Sequence, residues 1–389
     1  MTLEYCNDKN VPELRFQGFD GEWEEKKLGE ISETKTGNSN REDSETEGEY
    51  IFFDRSVDIR RSNNFLFDSE AIIVPGEGSD FKPRFFEGKF DLHQRTYATM
   101  KFEGSSIFLY YSMYKNRYHF LKYAVGSTVK SLRLPIFNNM PINLPTLPEQ
   151  QKIANFLTTL DNKIENLKKQ EKLLKTLKKG FLQKLFPQTG KLVPELRFPG
   201  FVGEWEEKGF LEASKIIKSG IRPFENFKDY LSTSSVKDSQ IVSIEGKITY
   251  NNRPSRANMQ PKINSVWFAK MKDTRKFLVF KDSKDIKEYV LSTGFLGLDP
   301  KENLSLDFLY LLIRTPEFEV QKNKLSKGNT QQAINNDSLS QIKIKLPSLP
   351  EQQKIADFLT ALDNKIEGLS QNIEKTNRLK KGFLQKVLV

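Results

Sequence analysis

LPTLPEQQKIANFLTTLDNKIENL at residues 144–167 returns as LPSLPEQQKIADFLTALDNKIEGL at 346–369, with 20 of 24 positions unchanged. Both copies run on to LKKGFLQK, at 177–184 and 379–386. Apolar residues recur at Ile153, Leu157, Leu160, Ile164, Leu167, Leu174 and Phe181, and again at Ile355, Leu359, Leu362, Ile366, Leu369, Ile373 and Phe383. Alternating steps of four and three make a heptad seam, broken at Glu171, Lys178 and Lys380. Thr146-x-x-Glu149 and Ser348-x-x-Glu351 read as capping boxes, with Pro148 and Pro350 in the first turn, where a missing N–H costs little. The spacing predicts helices over about 149–185 and 351–387, each roughly 55 Å long at 1.5 Å per residue. Each helix could lie on its own globular domain. Two near-identical seams in one chain more naturally pair with each other, and antiparallel is the simplest geometry for a chain that must return and repeat.

A second repeat precedes each helix. VPELRFQGFDGEWEEK (11–26) and VPELRFPGFVGEWEEK (193–208) match at 14 of 16 positions. The stretches enclosed by the repeats, about 31–143 and 214–345, share little beyond Gly126 and Thr128, which align with Gly328 and Thr330. A scaffold is thus used twice around two different inserts. Drift after duplication would blur scaffold and inserts alike, so two modules doing one kind of job on different targets is the better reading.

Both inserts read as mixed α/β. AIIVPGEG (71–78) is a buried strand and a glycine turn, and 105–124 is a helix followed by the Gly126-Ser127-Thr128 loop. SVWFAKM (265–271) is a strand, and LDFLYLLIRTPEFEVQKNKL (306–325) is a helix with a turn or kink at Pro316. Basic and amide side chains interleave with aromatics between these elements, the mixture a duplex reader needs to neutralise phosphate and contact base edges. By itself such a mixture is more often a solvated face.

Composition removes several function classes. With 389 residues and 30 Phe the chain can bury two or more cores. One Cys (Cys6) and two distant His (His93, His119) assemble neither a disulfide framework nor a zinc ligand set. The opening MTLEYCNDKNVPELRF is no basic-then-apolar leader, and no apolar run approaches ~18 residues, so membrane insertion is not expected. There is no GxxxxGK[ST], and no Asp/Asn-Pro-Pro-aromatic tetrapeptide, Asp299-Pro300 being followed by Lys301. Acid-and-lysine clusters such as Glu24-Glu25-Lys26, its copy at 206–208, and Asp282-Ser283-Lys284 beside Asp285-Ile286-Lys287 are common in a chain with 29% charged residues and read as surface.

The twice-used LPxLPEQQKIAxFLTxLDNKIExL helices ending in LKKGFLQK resemble the specificity subunit of type I restriction–modification enzymes. That resemblance implies an α/β protein with two target-recognition domains separated by two conserved helices that pair as an antiparallel coiled coil. The domains would be 1–143 and 187–345, and the helical regions 144–186 and 346–389. It further implies a non-catalytic chain that reads a bipartite, asymmetric duplex DNA site, one half-site per domain. Two modification (methyltransferase) subunits and the restriction (translocase/nuclease) subunits would dock on it in a bacterial cytoplasm. S-adenosylmethionine, ATP and Mg²⁺ would be bound by those partners and no cofactor by this chain. The helix pair would act as a ruler, fixing half-sites about one helical turn, ~34 Å, apart.

The candidate DNA contacts are Arg60, Arg61, Lys82, Arg84, Lys89, Gln94, Arg95, Lys130 and Arg133 in the first insert. In the second they are Arg253, Arg256, Lys262, Arg275, Lys276, Asn329, Thr330, Gln331 and Gln332. Charge points the same way. Of the net +10, residues 214–345 carry +9, 59–143 +5 and 31–58 −5, with +5 over 149–185, +2 over 351–389, −4 over 1–30 and −2 over 186–213. DNA is therefore expected against the later part of the first insert and much of the second, with the acidic 11–26 and 193–208 blocks facing protein. Two other readings remain open on the residues alone: a coiled-coil scaffold that binds proteins without reading DNA, and a self-sufficient endonuclease with a cryptic acid–lysine site.

Overall fold

The computed structural model describes residues 3–5, 10–56, 58–329 and 331–389. Two helices dominate it, Leu147–Lys184 and Leu349–Lys386, of 38 residues each. The chain forms two compact units, Met1–Lys169 with Ser370–Val389, and Gln170–Leu369. Both boundaries fall inside the long helices, so each unit holds one insert, the start of one helix and the end of the other.

In the first unit a six-stranded sheet runs in the order Glu33–Thr36, Thr96–Met100, Phe67–Pro75, Arg84–Leu92, Tyr50–Phe53, Arg60–Ser62. Neighbours are antiparallel except Tyr50–Phe53 beside Arg84–Leu92. The run Ala71-Ile72-Ile73-Val74 is apolar throughout because both faces are covered. Ile72 and Val74 join the core under the helix Ser106–Lys115, while Ala71 and Ile73 join Phe53, Phe90 and Leu92 on the other side. The stretch read as one helix over 105–124 is two, Ser106–Lys115 and Tyr118–Tyr123. The first ends at Asn116, a weak helix former.

The second unit carries two four-stranded sheets. One runs Ser214–Ile217, Phe295–Pro300, Ser265–Ala269, Phe277–Phe280, and the other Gly246–Ile248, Lys228–Leu231, Tyr289–Ser292, Ala257–Met259. Val266 and Phe268 face one core, Trp267 and Ala269 the other. Gly297 is required opposite Trp267, since a Cβ there would lie 2.5 Å from the indole ring. The kink at Pro316 is a full break between Leu306–Leu312 and Pro316–Leu325, with Pro316 opening the second helix.

The repeated blocks close each unit in the same way. Arg15 donates from Nε and Nη2 to the Glu149 carboxylate at 2.9 and 2.8 Å, and from Nη1 and Nη2 to Gly21 O and Asp20 O. Arg197 does the same to Glu351 at 2.8 and 2.7 Å, and to Gly203 O and Val202 O. The glutamates read as capping partners therefore give both oxygens to an arginine. Gln150 Oε1 accepts from Ser105 N–H at 3.0 Å, and Gln352 Oε1 from Ser305 N–H at 2.9 Å, tying each long helix to the N-cap of the insert's own helix. Glu24–Lys27 and Glu206–Gly209 pair with Pro141–Leu144 and Lys343–Leu346, leaving the acidic residues of the two Glu-Glu-Lys triplets exposed as expected. The adjacent Trp23 and Trp205 are core residues instead, each edge-on or tilted to Phe108 or Phe308 at 5.8 Å.

Each unit also fixes the direction of its helix segments. In the first, Phe156 meets Phe383 at 5.0 Å and Asp161 meets Lys380 at 2.5 Å. Numbers rise on one helix as they fall on the other, so the segments are antiparallel. In the second, Phe181 meets Phe358 at 5.0 Å and Lys178 pairs with Asp363. The seam itself divides. Ile153, Leu157, Ile355 and Leu359 are buried in the cores of the inserts, while Leu160, Leu167, Leu362, Ile366 and Leu369 are half-buried and Ile164 buried. Packing on a domain and packing on a second helix thus succeed each other along one stripe, widened at its start by Ala154 and Ala356. Among the described residues no helix is long and apolar enough to cross a membrane.

Arg15 and Glu149 are 6% and 1% exposed, so replacing Arg15 alone strands a buried charge. Arg15→Met is expected to cost about 3–5 kcal/mol, and adding Glu149→Leu to recover most of it. Urea midpoints of the single and double variants measure this; a single variant as stable as the parent would refute the tie.

Candidate functional site

In the first unit three chain segments meet at the end of the central strands: the turn after Phe67–Pro75, the hairpin turn 93–95 and the loop 125–133. They enclose a cleft of about 240 Å³ lined by Gly76, Glu77, Gln94, Arg95, Tyr97, Ser131, Leu132 and Arg133. Glu77, mostly buried, accepts from Arg95 Nη1 at 2.6 Å and also pairs with Arg55. Burial works to raise the Glu77 pKa, but the two arginines outweigh it and hold the carboxyl below the usual range. Gln94 Nε2 donates to Asn40 Oδ1 at 2.6 Å, fixing the amide. His93 Nδ1 accepts from Arg95 N–H at 3.0 Å; burial lowers its pKa, consistent with a neutral ring.

The structure therefore brings together Gln94, Arg95 and Arg133, and Lys130 joins them through its carbonyl, which accepts from Gly78 N–H at 3.1 Å. Arg84 reaches Ser56 O at 3.0 Å, on the segment that also carries Arg55. The other candidates lie elsewhere. Arg60 pairs with Asp54 at 3.0 Å, and Arg61 donates to Glu49 O from the edge strand. Lys89 stands 4.6 Å over the Phe65 ring. Lys82 stands over Tyr114 of the helix Ser106–Lys115, in the helical layer. Arg55, Glu77 and Asn40 were not singled out from the sequence. Arg55 and Asn40 sit in the acidic stretch 31–58 that charge counting set aside, and Glu77 in a turn read only as a turn.

The second unit has a corresponding mouth. Lys272 Nζ donates to Gln332 Oε1 at 2.9 Å, and Lys276 Nζ to Thr233 O at 2.5 Å. Lys270 is half-buried, and burial followed by the charge of nearby Arg256 lowers its pKa. Arg256 O accepts from Thr293 N–H at 2.8 Å. Arg256, Lys276 and Gln332 are thus gathered, with Lys270 and Lys272 added by the structure. Lys270 falls within the stretch 265–271 read from sequence as a strand, and Lys272 directly follows it. Asn329 and Gln331 are exposed on the same loop; Thr330 lies outside the described residues. Arg275 points to the helical layer, donating to Arg314 O at 2.7 Å. Arg253 stacks 4.3 Å over Tyr250, and Lys262 is exposed in the turn before Ser265–Ala269. Guanidinium, ammonium and amide groups fixed by neighbours supply directional donors and acceptors for a polyanionic ligand. No cluster of three or more His, Cys, Asp or Glu suited to a metal ion occurs among the described residues.

Comparison with known proteins agrees on one family. The family model described as type I restriction modification DNA specificity domain matches twice, over residues 20–176 and 204–378. The EcoDI specificity subunit of a type I restriction enzyme from Escherichia coli is 25% identical over 94% of this chain and 87% of its own. The MjaVIII specificity subunit from Methanocaldococcus jannaschii is 25% identical over 100% and 97%. Among solved structures, the S subunit of a type I restriction–modification system from M. genitalium shares the fold, with a TM-score of 0.66 at 18% identity over 97% of this chain and 99% of that one.

The Glu77 arrangement has a pH signature. Its carboxyl is expected to titrate below the ordinary 4.5, so the pairs with Arg55 and Arg95 are intact above that value and lost as pH falls through the lowered one. Arg95→Gln should raise the midpoint toward the ordinary value. A carboxyl-¹³C titration of the two proteins reads it directly; equal midpoints would dismiss the pairing.

Proposed function

The chain belongs to the type I restriction–modification DNA specificity family, and from that premise we propose that it recognises a bipartite, asymmetric duplex site. Each insert mouth takes one half-site. The chain contributes no catalysis and presents the site to two modification subunits and to restriction subunits docked on its scaffold. Those partners supply S-adenosylmethionine, ATP and Mg²⁺, and the complex works in the cytoplasm. The observation that carries this reading is the contrast between constant and variable parts: Arg15–Glu149 and Arg197–Glu351 close the two units identically, whereas the mouths present different charged side chains. A protein-only scaffold gives no reason for fixed guanidinium, ammonium and amide groups to be gathered at both mouths.

Mapping methylated adenines in cells that carry this chain with its modification subunits tests the proposal. A motif of two fixed halves around an unread spacer is expected; uniform or absent methylation would refute it. Exchanging residues 31–143 for the corresponding insert of another family member should change one half and leave the other. A change in both halves would refute the one-mouth, one-half assignment.

The two long helices run from one unit into the other, which supports a ruler. Inserting seven residues at Lys169–Gln170 and another seven at Leu369–Ser370 keeps each helix face in phase and adds about 10 Å. At 3.4 Å per base pair the spacer should lengthen by about three. An unchanged spacer in the methylated motif would sink the ruler.

A further inference from the structure

The same backbone contacts recur in the two mouths. Gly76 N–H donates to Arg95 O at 2.9 Å, and Lys270 N–H to Gly294 O at 2.9 Å. Leu132 N–H donates to Gly76 O at 2.8 Å, and Ile334 N–H to Lys270 O at 3.0 Å. Gly78 N–H donates to Lys130 O at 3.1 Å, and Lys272 N–H to Gln332 O at 2.8 Å. Val125 and Ser131 exchange hydrogen bonds at 2.9 and 2.7 Å, as Lys327 and Ala333 do at 3.0 Å each. Glu77 bridges to Ser131 and Met271 to Ala333. Gly126 and Gly328 begin the two loops at φ 110° and 131°, which explains the one glycine the inserts share.

These contacts pair residue 76 with 270, 77 with 271, 95 with 294 and 130 with 332. The numbering offset is 194 at the first pair, 199 at the third and 202 at the last, so no single alignment shift reveals the set. Across the first bond a glycine faces a cation in both mouths, with the sides exchanged. The first module has Gly76 against Arg95, and the second Lys270 against Gly294. A Cβ on Gly76 would stand 2.4 Å from Arg95 O and 2.9 Å from the Tyr97 ring, and one on Gly294 would stand 3.0 Å from Thr233 Cγ2. The backbone carbonyl therefore excludes a side chain at position 76, whereas at position 294 a side chain would press only on the Thr233 methyl. Arg95 is 59% exposed and is held by Glu77 through Nη1, so its Nε and Nη2 are the donors for paired hydrogen bonds to a guanine O6 and N7. Lys270 stands on the other segment of the pair, half-buried, close enough to Arg256 to feel its charge and two residues before Lys272, whose Nζ meets Gln332 Oε1.

Resting on the DNA-reading function above, we propose that this glycine–cation pair is the specificity-determining position of each module. Arg95, aimed by Glu77 as a positioning residue, reads a base edge in one half-site, and Lys270 reads one in the other. The remaining frame contacts are backbone to backbone and independent of side-chain identity, so the frame sets where a reader stands and the exchange sets which segment supplies it.

The test assembles the parent chain and the variants Arg95→Gln, Glu77→Gln and Lys270→Met with modification subunits. Each assembly methylates a duplex library randomised across both half-sites, and the modified molecules are sequenced. Arg95→Gln and Glu77→Gln should relax preference at the same base pair of one half-site by about tenfold or more, and Lys270→Met at one base pair of the other. Even loss across all sequences, with the slope of log affinity against log salt shallower by about one, would make these residues phosphate contacts and overturn the proposal. So would Glu77→Gln acting at a different base pair from Arg95→Gln. A parent that selects sequence alongside variants that select identically overturns this proposal alone; a parent with no sequence preference overturns the DNA-reading function as well.

Discussion

The bidentate bond between a scaffold arginine and the first turn of a long helix is the constraint from which each unit follows. Arg15 and Glu149 are 134 residues apart in sequence, and Arg197 and Glu351 are 154 apart, yet the pairs are geometrically alike, the first buried and the second with its carboxylate buried and its arginine half-buried. A guanidinium fixed on a carboxylate leaves its remaining N–H groups aimed, and both arginines direct them at the carbonyls of their own glycine turn. The ends of the insert are thereby pinned, and the insert can differ in length by 20 residues between the copies without disturbing the closure. Aromatic edges complete the joint, Phe16 on Phe156 and Phe198 on Phe358, both at 5.5 Å.

Constancy of the scaffold and divergence of the inserts have one physical source. Scaffold residues each touch several others. Glu149 cannot change without stranding Arg15, and Gln150 links Ser105 N–H to Pro145 O. A buried polar group left unpaired costs more than the bond contributed, so such clusters resist single changes. At the mouths the frame is held by backbone hydrogen bonds, and an exposed side chain such as Arg95 or Gln331 can be replaced without breaking them. One chain can therefore hold an unchanging joint and an adaptable surface.

Much of this was legible in the sequence because the joint is written twice. The heptad spacing, the repeated blocks and the break at Pro316 mark the helices, and AIIV and SVWFA mark the central strands. What escaped depends on folding-in from a distance. Arg55 and Asn40 reach the first mouth from a stretch whose net charge is −5, so summing charge along the chain hid them. Lys82 and Arg275 carry the right charge at the right place in sequence, but the strand and helix geometry turns them onto Tyr114 and toward Arg314. The glycine–cation exchange is silent in sequence, because its partners meet only through hydrogen bonds whose offsets differ.

The lysines that break the heptad seam complete the logic of the helices. A seam of Leu and Ile alone would pack nearly as well after sliding by one heptad, since the stripe repeats. Lys178 and Lys380 sit where the opposing antiparallel segment carries Asp363 and Asp161. Each site adds a third member from its own insert: Tyr111 donates to Asp161 at 2.7 Å, and Arg314 lies 3.7 Å from Asp363. Burial followed by Asp161 raises the Tyr111 pKa, keeping its hydroxyl a donor. Burial followed by Arg314 lowers the Lys178 pKa, so that ammonium depends on Asp363 to offset its loss of water. A slipped register would leave a half-buried ammonium without its carboxylate, a cost that leucine packing does not recover. The interruptions in the seam are therefore what gives it a single register, and that register fixes where each helix meets its insert.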